Sequence, residues 1–245
     1  MLGVGPPLVR VVVCCYDNSM RPSNLEILYE DNHVLALNKP AGLPTMGVTA
    51  GTPSVVTLVK QYIKARYQKP GNVYLGIMSR LDAGSTGIVL LARTSKAAAR
   101  LTEQFRSRSV QKTYWAIVTG MIEPAEGDLI DWVAKDEPRQ RMVIVKSNSP
   151  GAKEARLRYR RLRGLGRGSL VEIELQTGRK HQIRVQFAAR GFPLWGEQKY
   201  GSGQPFAAGV ALHARRLVFR HPVRKESIEL TAPLPPAWQS LGLMD

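Results

Sequence analysis

Residues 79–94 read SRLDAGSTGIVLLART. A segment of mostly small and polar residues, with Asp82 its single acid, runs straight into the apolar strand pattern Ile88–Ala92. An acid placed among turn-forming residues at the mouth of a buried strand is held rigidly at the edge of a core. Two readings fit it: a carboxylate that closes its own turn through the backbone, or one that carries chemistry.

Working outward, Ile27–Tyr29 and Val34–Leu37 are short apolar runs around Glu30-Asp31-Asn32, the pattern of two strands and a turn. The Pro- and Gly-rich stretch Asn38–Pro44 follows and reads as a shaped loop. Thr52-Pro53 is the expected N-cap and first position of a helix carrying Val55, Leu58, Val59, Tyr62 and Ile63 at helical spacing. A second helix is expected from Thr94 or Ser95, with Ala97, Ala98, Leu101 and Phe105 on one face. Tyr114–Val118 and Leu170–Leu175 read as strands, the latter alternating Val171, Ile173 and Leu175 with Glu172 and Glu174. A third helix is expected over Arg179–Arg190, closed by Gly191 and Pro193. Strands and helices mix irregularly rather than in repeating βα units, so the expected class is α+β. Residues 1–22 read as a loosely held extension in which Met20 is a second candidate start, and residues 23–245 as one domain.

The chain of 245 residues carries 35 Lys+Arg against 19 Asp+Glu, a formal charge of +16. That excess favours polyanions, nucleic acid before an anionic membrane. No helix candidate has the long basic amphipathic face a membrane-surface protein needs, and no apolar run is long enough to span a bilayer. Cys14 and Cys15 are adjacent and form no disulfide framework, which fits a reducing cytoplasmic setting. Residues 153–184 hold ten basic and three acidic residues, with Arg156, Arg158 and Arg160 alternating with apolar neighbours. Such a face is either simply solvated or a nucleic-acid contact. Cys/His metal spacing, a G-x-x-x-x-G-K-[ST] phosphate loop and a G-x-S-x-G elbow are all missing. The remaining polar cluster is TGRKHQIR, residues 177–184. Arg179 and Arg184, five apart on the expected helix, face different directions, so one can reach phosphate while the other turns inward. Two surface arginines fit the same spacing.

The ordered set LEILYEDNHVLALNKPAGL (25–43), SRLDAGSTGIVLLART (79–94), KTYWA (112–116), TGRKHQIRV (177–185) and HARRLVFRHP (213–222) resembles the RluA-type RNA pseudouridine synthases over roughly residues 25–235. The chain departs from the family pattern at Ser79, where the family has His. It departs again at Ser85-Thr86 in place of Thr-Ser, and at Gly196-Glu197 in place of Gly-Asp. The resemblance implies a pseudouridine synthase fold: a mixed, mostly antiparallel sheet with flanking helices and a central RNA-binding cleft. With fewer than 30 residues before Leu25, no RNA-binding S4 domain is expected.

The implied reaction isomerises a uridine within ribosomal or transfer RNA, with no metal or redox cofactor and a monomeric enzyme. Asp82 would be its essential carboxylate, acting as nucleophile or as a base that yields a glycal. Arg184 would keep Asp82 ionised against burial. Tyr114 would stack on uracil and help move the C5 proton, unless it is a core aromatic. Arg80 would lie near the vacated base position or the flanking backbone, and Arg179 and Lys180 would contact phosphate. His181 would serve as a hydrogen-bonding residue at the helix start rather than as a base, and Gln182 would join it in bordering the substrate. The competing reading is an RNA-binding protein that kept the fold and lost activity.

Overall fold

The structure, a computed structural model, describes residues 24–244 apart from 48, 50, 202 and 203. The expected extension 1–22 and Met20 lie outside the described residues. Strands β1 (Glu26–Glu30) and β2 (Val34–Lys39) form the expected hairpin. Its turn is closed by Asp31, whose carboxylate accepts the His33 and Val34 amides at 2.7 and 2.8 Å. Helix α1 (Val55–Tyr67) starts two residues later than the Thr52-Pro53 signal suggests. The cap is Ser54, whose hydroxyl accepts the Thr57 amide while Thr57 Oγ1 accepts the Ser54 amide. This reciprocal pair satisfies two orphan donors and outcompetes the upstream threonine. Helix α2 (Ser95–Arg106) is capped by Thr94 and buries Ala97, Ala98 and Leu101, as its spacing predicts.

The other strands are β3 (Gly76–Ile77), β4 (Thr86–Ala92), β5 (Gln111–Thr119), β6 (Glu126–Asp136), β7 (Arg141–Val145), β8 (Lys153–Gly164), β9 (Gly168–Leu175), β10 (Leu212–Arg220) and β11 (Ser227–Thr231). Helices α3 (Gln182–Ala188) and α4 (Pro236–Gln239) complete the elements. One sheet runs β1-β2-β4-β10-β5-β9-β8-β6-β7, with β3 beside β4 and β11 beside β10. The architecture is α+β with a mostly antiparallel sheet.

The exception to antiparallel pairing positions the site. Strands β4 and β10 run parallel, His213 opposite Thr86 and Ala214 opposite Gly87. Gly87 sits at φ +106°, and a Cβ there would lie 2.4 Å from the Ala214 carbonyl oxygen. Only glycine permits this approach. The junction joins a core under β1, β2, β4, α1 and α2 to a second core built on β5, β8, β9 and α3. The Asp82 loop ends on this seam.

Helix α3 is shorter than the expected 179–190 span. His181 adopts φ +51°, in the left-handed region, so a right-handed helix cannot run through it. Arg179 therefore lies in the preceding turn, and the helical-face argument relating it to Arg184 fails.

Candidate active site

A cleft of about 360 Å³ opens beside the seam, walled by Arg80, Asp82, Lys112, Tyr114, Arg179 and His181 among others. The loop carrying Asp82 is bolted down from several sides. Thr45 Oγ1 accepts the Leu81 amide and donates to the Leu81 carbonyl, at 3.1 and 2.8 Å. The Ala83 carbonyl accepts the Gly42 amide and the Lys39 ammonium. Ser79, at the family's histidine position, accepts the Leu90 amide at 2.9 Å and ties the loop to β4. The turn itself closes through the Ser85 amide and the Asp82 carbonyl. The Asp82 carboxylate takes no part in that turn and faces the cleft, about 29% exposed.

Its main partner comes from α3. Arg184 Nη1 donates to Asp82 Oδ2 at 2.6 Å. The same guanidinium donates through Nε and Nη2 to Glu197 Oε2 and Oε1, at 2.6 and 2.8 Å. Glu197 is fully buried and its Oε1 also accepts the Lys199 and Tyr200 amides. Burial disfavours both charges, but the fork–fork geometry and these added donors overcome it. The Arg184 pKa is held above, and the Glu197 pKa below, the ordinary range. Arg184 is thus a cation whose plane is fixed by Glu197 and whose free corner holds Asp82. A lysine could not fill both roles.

Lys39 is completely buried and donates to the carbonyls of Pro40, Leu43 and Ala83 at 2.8, 2.8 and 3.0 Å. Burial pulls its pKa down to about 7 against the opposing pull of Asp82. Burial, reinforced by Asp82, pushes the Tyr114 phenol up to about 12. At neutral pH Tyr114 therefore presents a neutral ring and hydroxyl. Among the described residues, no group of three or more His, Cys, Asp or Glu side chains is arranged to hold a metal ion. No helix among them is long and apolar enough to cross a membrane.

This constellation sits inside a region that matches the sequence profile of the RNA pseudouridylate synthase family over residues 33–189. The chain belongs to the RluA-type RNA pseudouridine synthases. This RNA pseudouridine synthase is 35% identical over 222 residues to the RNA pseudouridine synthase YhcT of Bacillus subtilis, covering 89% of this chain and 71% of that one. It is 34% identical over 225 residues to the ribosomal large subunit pseudouridine synthase D of Xylella fastidiosa, covering 86% and 66%. A solved structure of human RNA pseudouridylate synthase domain containing 4 superposes with a TM-score of 0.72 at 27% identity, over 89% of this chain and 94% of that one. The synthase is therefore an RNA-modifying isomerase by family.

Most residues singled out from the synthase's sequence meet in the cleft. Asp82, Tyr114, Arg184, Arg179, His181 and the exposed side chains of Arg80 and Lys180 line it. Arg179 also donates to the Glu154 carbonyl at 2.8 Å, which fixes its guanidinium at the rim. Gln182 borders the cleft as well. It is buried, accepts from Thr177 Oγ1 and the Arg179 amide, and donates to the Arg156 carbonyl. Its amide joins β8 to α3 and so holds this part of the cleft wall. The basic face of β8 is partly neutralised, since Arg156 pairs with Glu154 and Arg160 with Glu172. Sequence reasoning missed Glu197, Tyr200 and Lys39 as parts of the site. The Gly-Glu step at 196–197 and the Asn-Lys-Pro step at 38–40 were the signals available for two of them.

Proposed function

We propose that this synthase isomerises a uridine in structured RNA, with Asp82 acting on a nucleotide turned out of its stack. The observation that carries the reading is a rigidly mounted carboxylate at the cleft floor, held by Arg184 on one side with Tyr114 in the same cavity. The isomerisation breaks N1–C1′, turns the uracil, forms C5–C1′ and releases the C5 proton, while N1 takes a proton. Both routes, attack by the carboxylate or proton abstraction to a glycal, start from the same ionised Asp82. Arg184 sets a cation directly against that carboxylate, where charge changes during the reaction. A base within a stack is out of reach of the cleft, and extruding it costs about a few kcal/mol. Cations at the rim, Arg80, Arg179 and Lys180, offset this by holding phosphates. Tyr114, neutral at physiological pH, is suited to stacking on the uracil rather than to taking the C5 proton as a phenolate. The name of the Xylella relative makes large-subunit ribosomal RNA the first substrate to try, with transfer RNA second.

Tritium release from RNA labelled at uridine C5, drawn from cells lacking the gene, tests the reading. Wild-type protein should release tritium and folded Asp82→Asn should not. Absence of release from every cellular RNA, or full activity in Asp82→Asn, would refute it. Pseudouridine maps of cells with and without the gene then identify the target position.

A further inference from the structure

Tyr200 stands behind the cleft wall. Its ring meets the His181 imidazole edge-on, centroids 5.7 Å apart at 84°, and the Arg184 guanidinium lies 5.5 Å from its centre. Its hydroxyl oxygen accepts the Met142 amide of β7 at 3.1 Å and lies 2.7 Å from His181 Nδ1. The other imidazole nitrogen, Nε2, lies 3.4 Å from Asp82 Oδ1. We propose that Tyr200, fixed by the Met142 amide, donates its proton to His181 Nδ1 and thereby holds the imidazole with its single N–H on Nε2, the ring nitrogen that lies beside Asp82.

Proton accounting carries this. A ring nitrogen beside a carboxylate has to bring a hydrogen, because a lone pair there would be repelled. A neutral imidazole has one N–H, so if Nε2 carries it Nδ1 must accept. The Met142 N–H can only donate, which leaves the Tyr200 hydroxyl to accept from it and pass its own hydrogen on. The chain Met142 N–H, Tyr200 O–H, His181 Nε2–H, Asp82 then runs in one direction with every group used once.

The surrounding charges agree. Burial, with Arg184 on α3, Lys180 beside it and Lys199 on the following segment, lowers the His181 pKa against the opposing pull of Asp82, so the ring is neutral near pH 7. Burial raises the Tyr200 pKa, so its phenol keeps its proton. Resting on the proposed role of Asp82, the consequence is that the carboxylate is oriented by one cation on Oδ2 and one neutral N–H on Oδ1. A second full positive charge would stabilise the resting carboxylate and blunt its reactivity. Tyr200 and His181 are positioning residues in this scheme.

The tautomer is read directly by long-range 1H–15N spectra of the 15N-histidine protein at pH 7.5. Only four histidines are present, and His181→Gln assigns the signal. Nδ1 should be unprotonated and Nε2 protonated; the opposite tautomer overturns the proposal. Tyr200→Phe keeps the ring but removes the relay proton. It should slow single-turnover tritium release about tenfold, leave RNA affinity within about twofold, and raise the His181 pKa, because the neutral form loses a hydrogen bond at Nδ1. An unchanged rate with an unchanged His181 pKa overturns it.

At position 181, asparagine suits the left-handed backbone better but reaches only to Nδ1, whereas the glutamine amide reaches the Nε2 place. Glutamine should be the more active of the two, and the reverse order would assign the position a backbone role instead. Wild-type protein that releases no tritium would sink the function proposed above, while the tautomer measurement would still judge the relay.

Discussion

Replacing Glu197 by glutamine removes one charge from the pair that fixes Arg184 and changes almost nothing in shape. The wild-type carboxylate is fully buried, and the Arg184 side chain is only 10% exposed. Deleting one partner of such a pair costs about 3–5 kcal/mol when the other is left alone. Here Arg184 keeps Asp82, and a glutamine oxygen can still accept the Lys199 amide, so the loss should be about 2–4 kcal/mol. In a chain of this size that lowers Tm by roughly 5–15 °C.

The loss must also depend on pH with a definite sign. Burial alone would raise the Glu197 pKa, but Arg184 and the Lys199 and Tyr200 amides hold it below the ordinary value. A depressed carboxylate gives its full stabilisation above the unfolded pKa, about 4.3, and loses it as pH falls through the folded value. Urea unfolding of both proteins from pH 7 to 3.5 should therefore show a constant gap down to about pH 5 and a narrowing one below. A variant within about 2 °C of wild type at pH 7 refutes the energetic argument. A gap that does not change with pH refutes the assignment to the Glu197 charge.

Three further outcomes follow from the geometry. Lys39→Met strands the Pro40 and Leu43 carbonyls at the base of the Asp82 loop, while Ala83 keeps the Gly42 amide, and thermal unfolding should register a loss of at least about 2 kcal/mol. Gly87→Ala drives a methyl into the Ala214 backbone, so no folded protein should be recovered by circular dichroism; a folded, active variant would contradict the close strand approach. Lys112 has its pKa pulled down to about 8 by burial and by its neighbours Arg108 and Arg179. RNA affinity should therefore weaken as pH rises through that value. Fluorescence titrations of Lys112→Gln should show weaker binding at pH 6.5, a flat profile across pH 8, and a salt slope smaller by about 0.7 if the contact is to single-stranded phosphate.

The parts of the fold that were legible beforehand are those with a local cause. The first hairpin shows in Glu30-Asp31-Asn32, and α2 shows in Thr94 followed by a small-residue face. Strands β6 and β7 escaped because their charged residues, Asp128, Asp131, Lys135 and Arg141, break the alternation that marks a strand, and their pairing with each other and with β8 is not a local property. The end of α3 was misplaced because His181 takes a left-handed conformation that nothing in the residue type demands. Within the site, Asp82, Arg184 and Tyr114 were reached through motifs. Glu197 and Tyr200 act through Arg184 and His181 rather than facing the cleft first, and such partners emerge only when distant segments are seen side by side. The hydrogen bonds that tie Gln182 to Thr177 and Arg156 were hidden for the same reason, since neither residue belongs to the helix pattern.

The contact between Asp82 and Arg184 joins residues 102 positions apart in the chain, and the seam pair Thr86–His213 is 127 apart. At about 5–20 residues per second, a ribosome that has made Asp82 needs about 5–20 s more to deliver its guanidinium, and longer to deliver β10. Throughout that interval the nascent chain carries a carboxylate without its clamp and a β4 edge without its neighbour. Under the role proposed for Asp82, a product stopped before Arg184 would lack a working centre. On that reading the centre is assembled only once β10 has closed against β4, so activity would report that the chain has been made and folded through that strand.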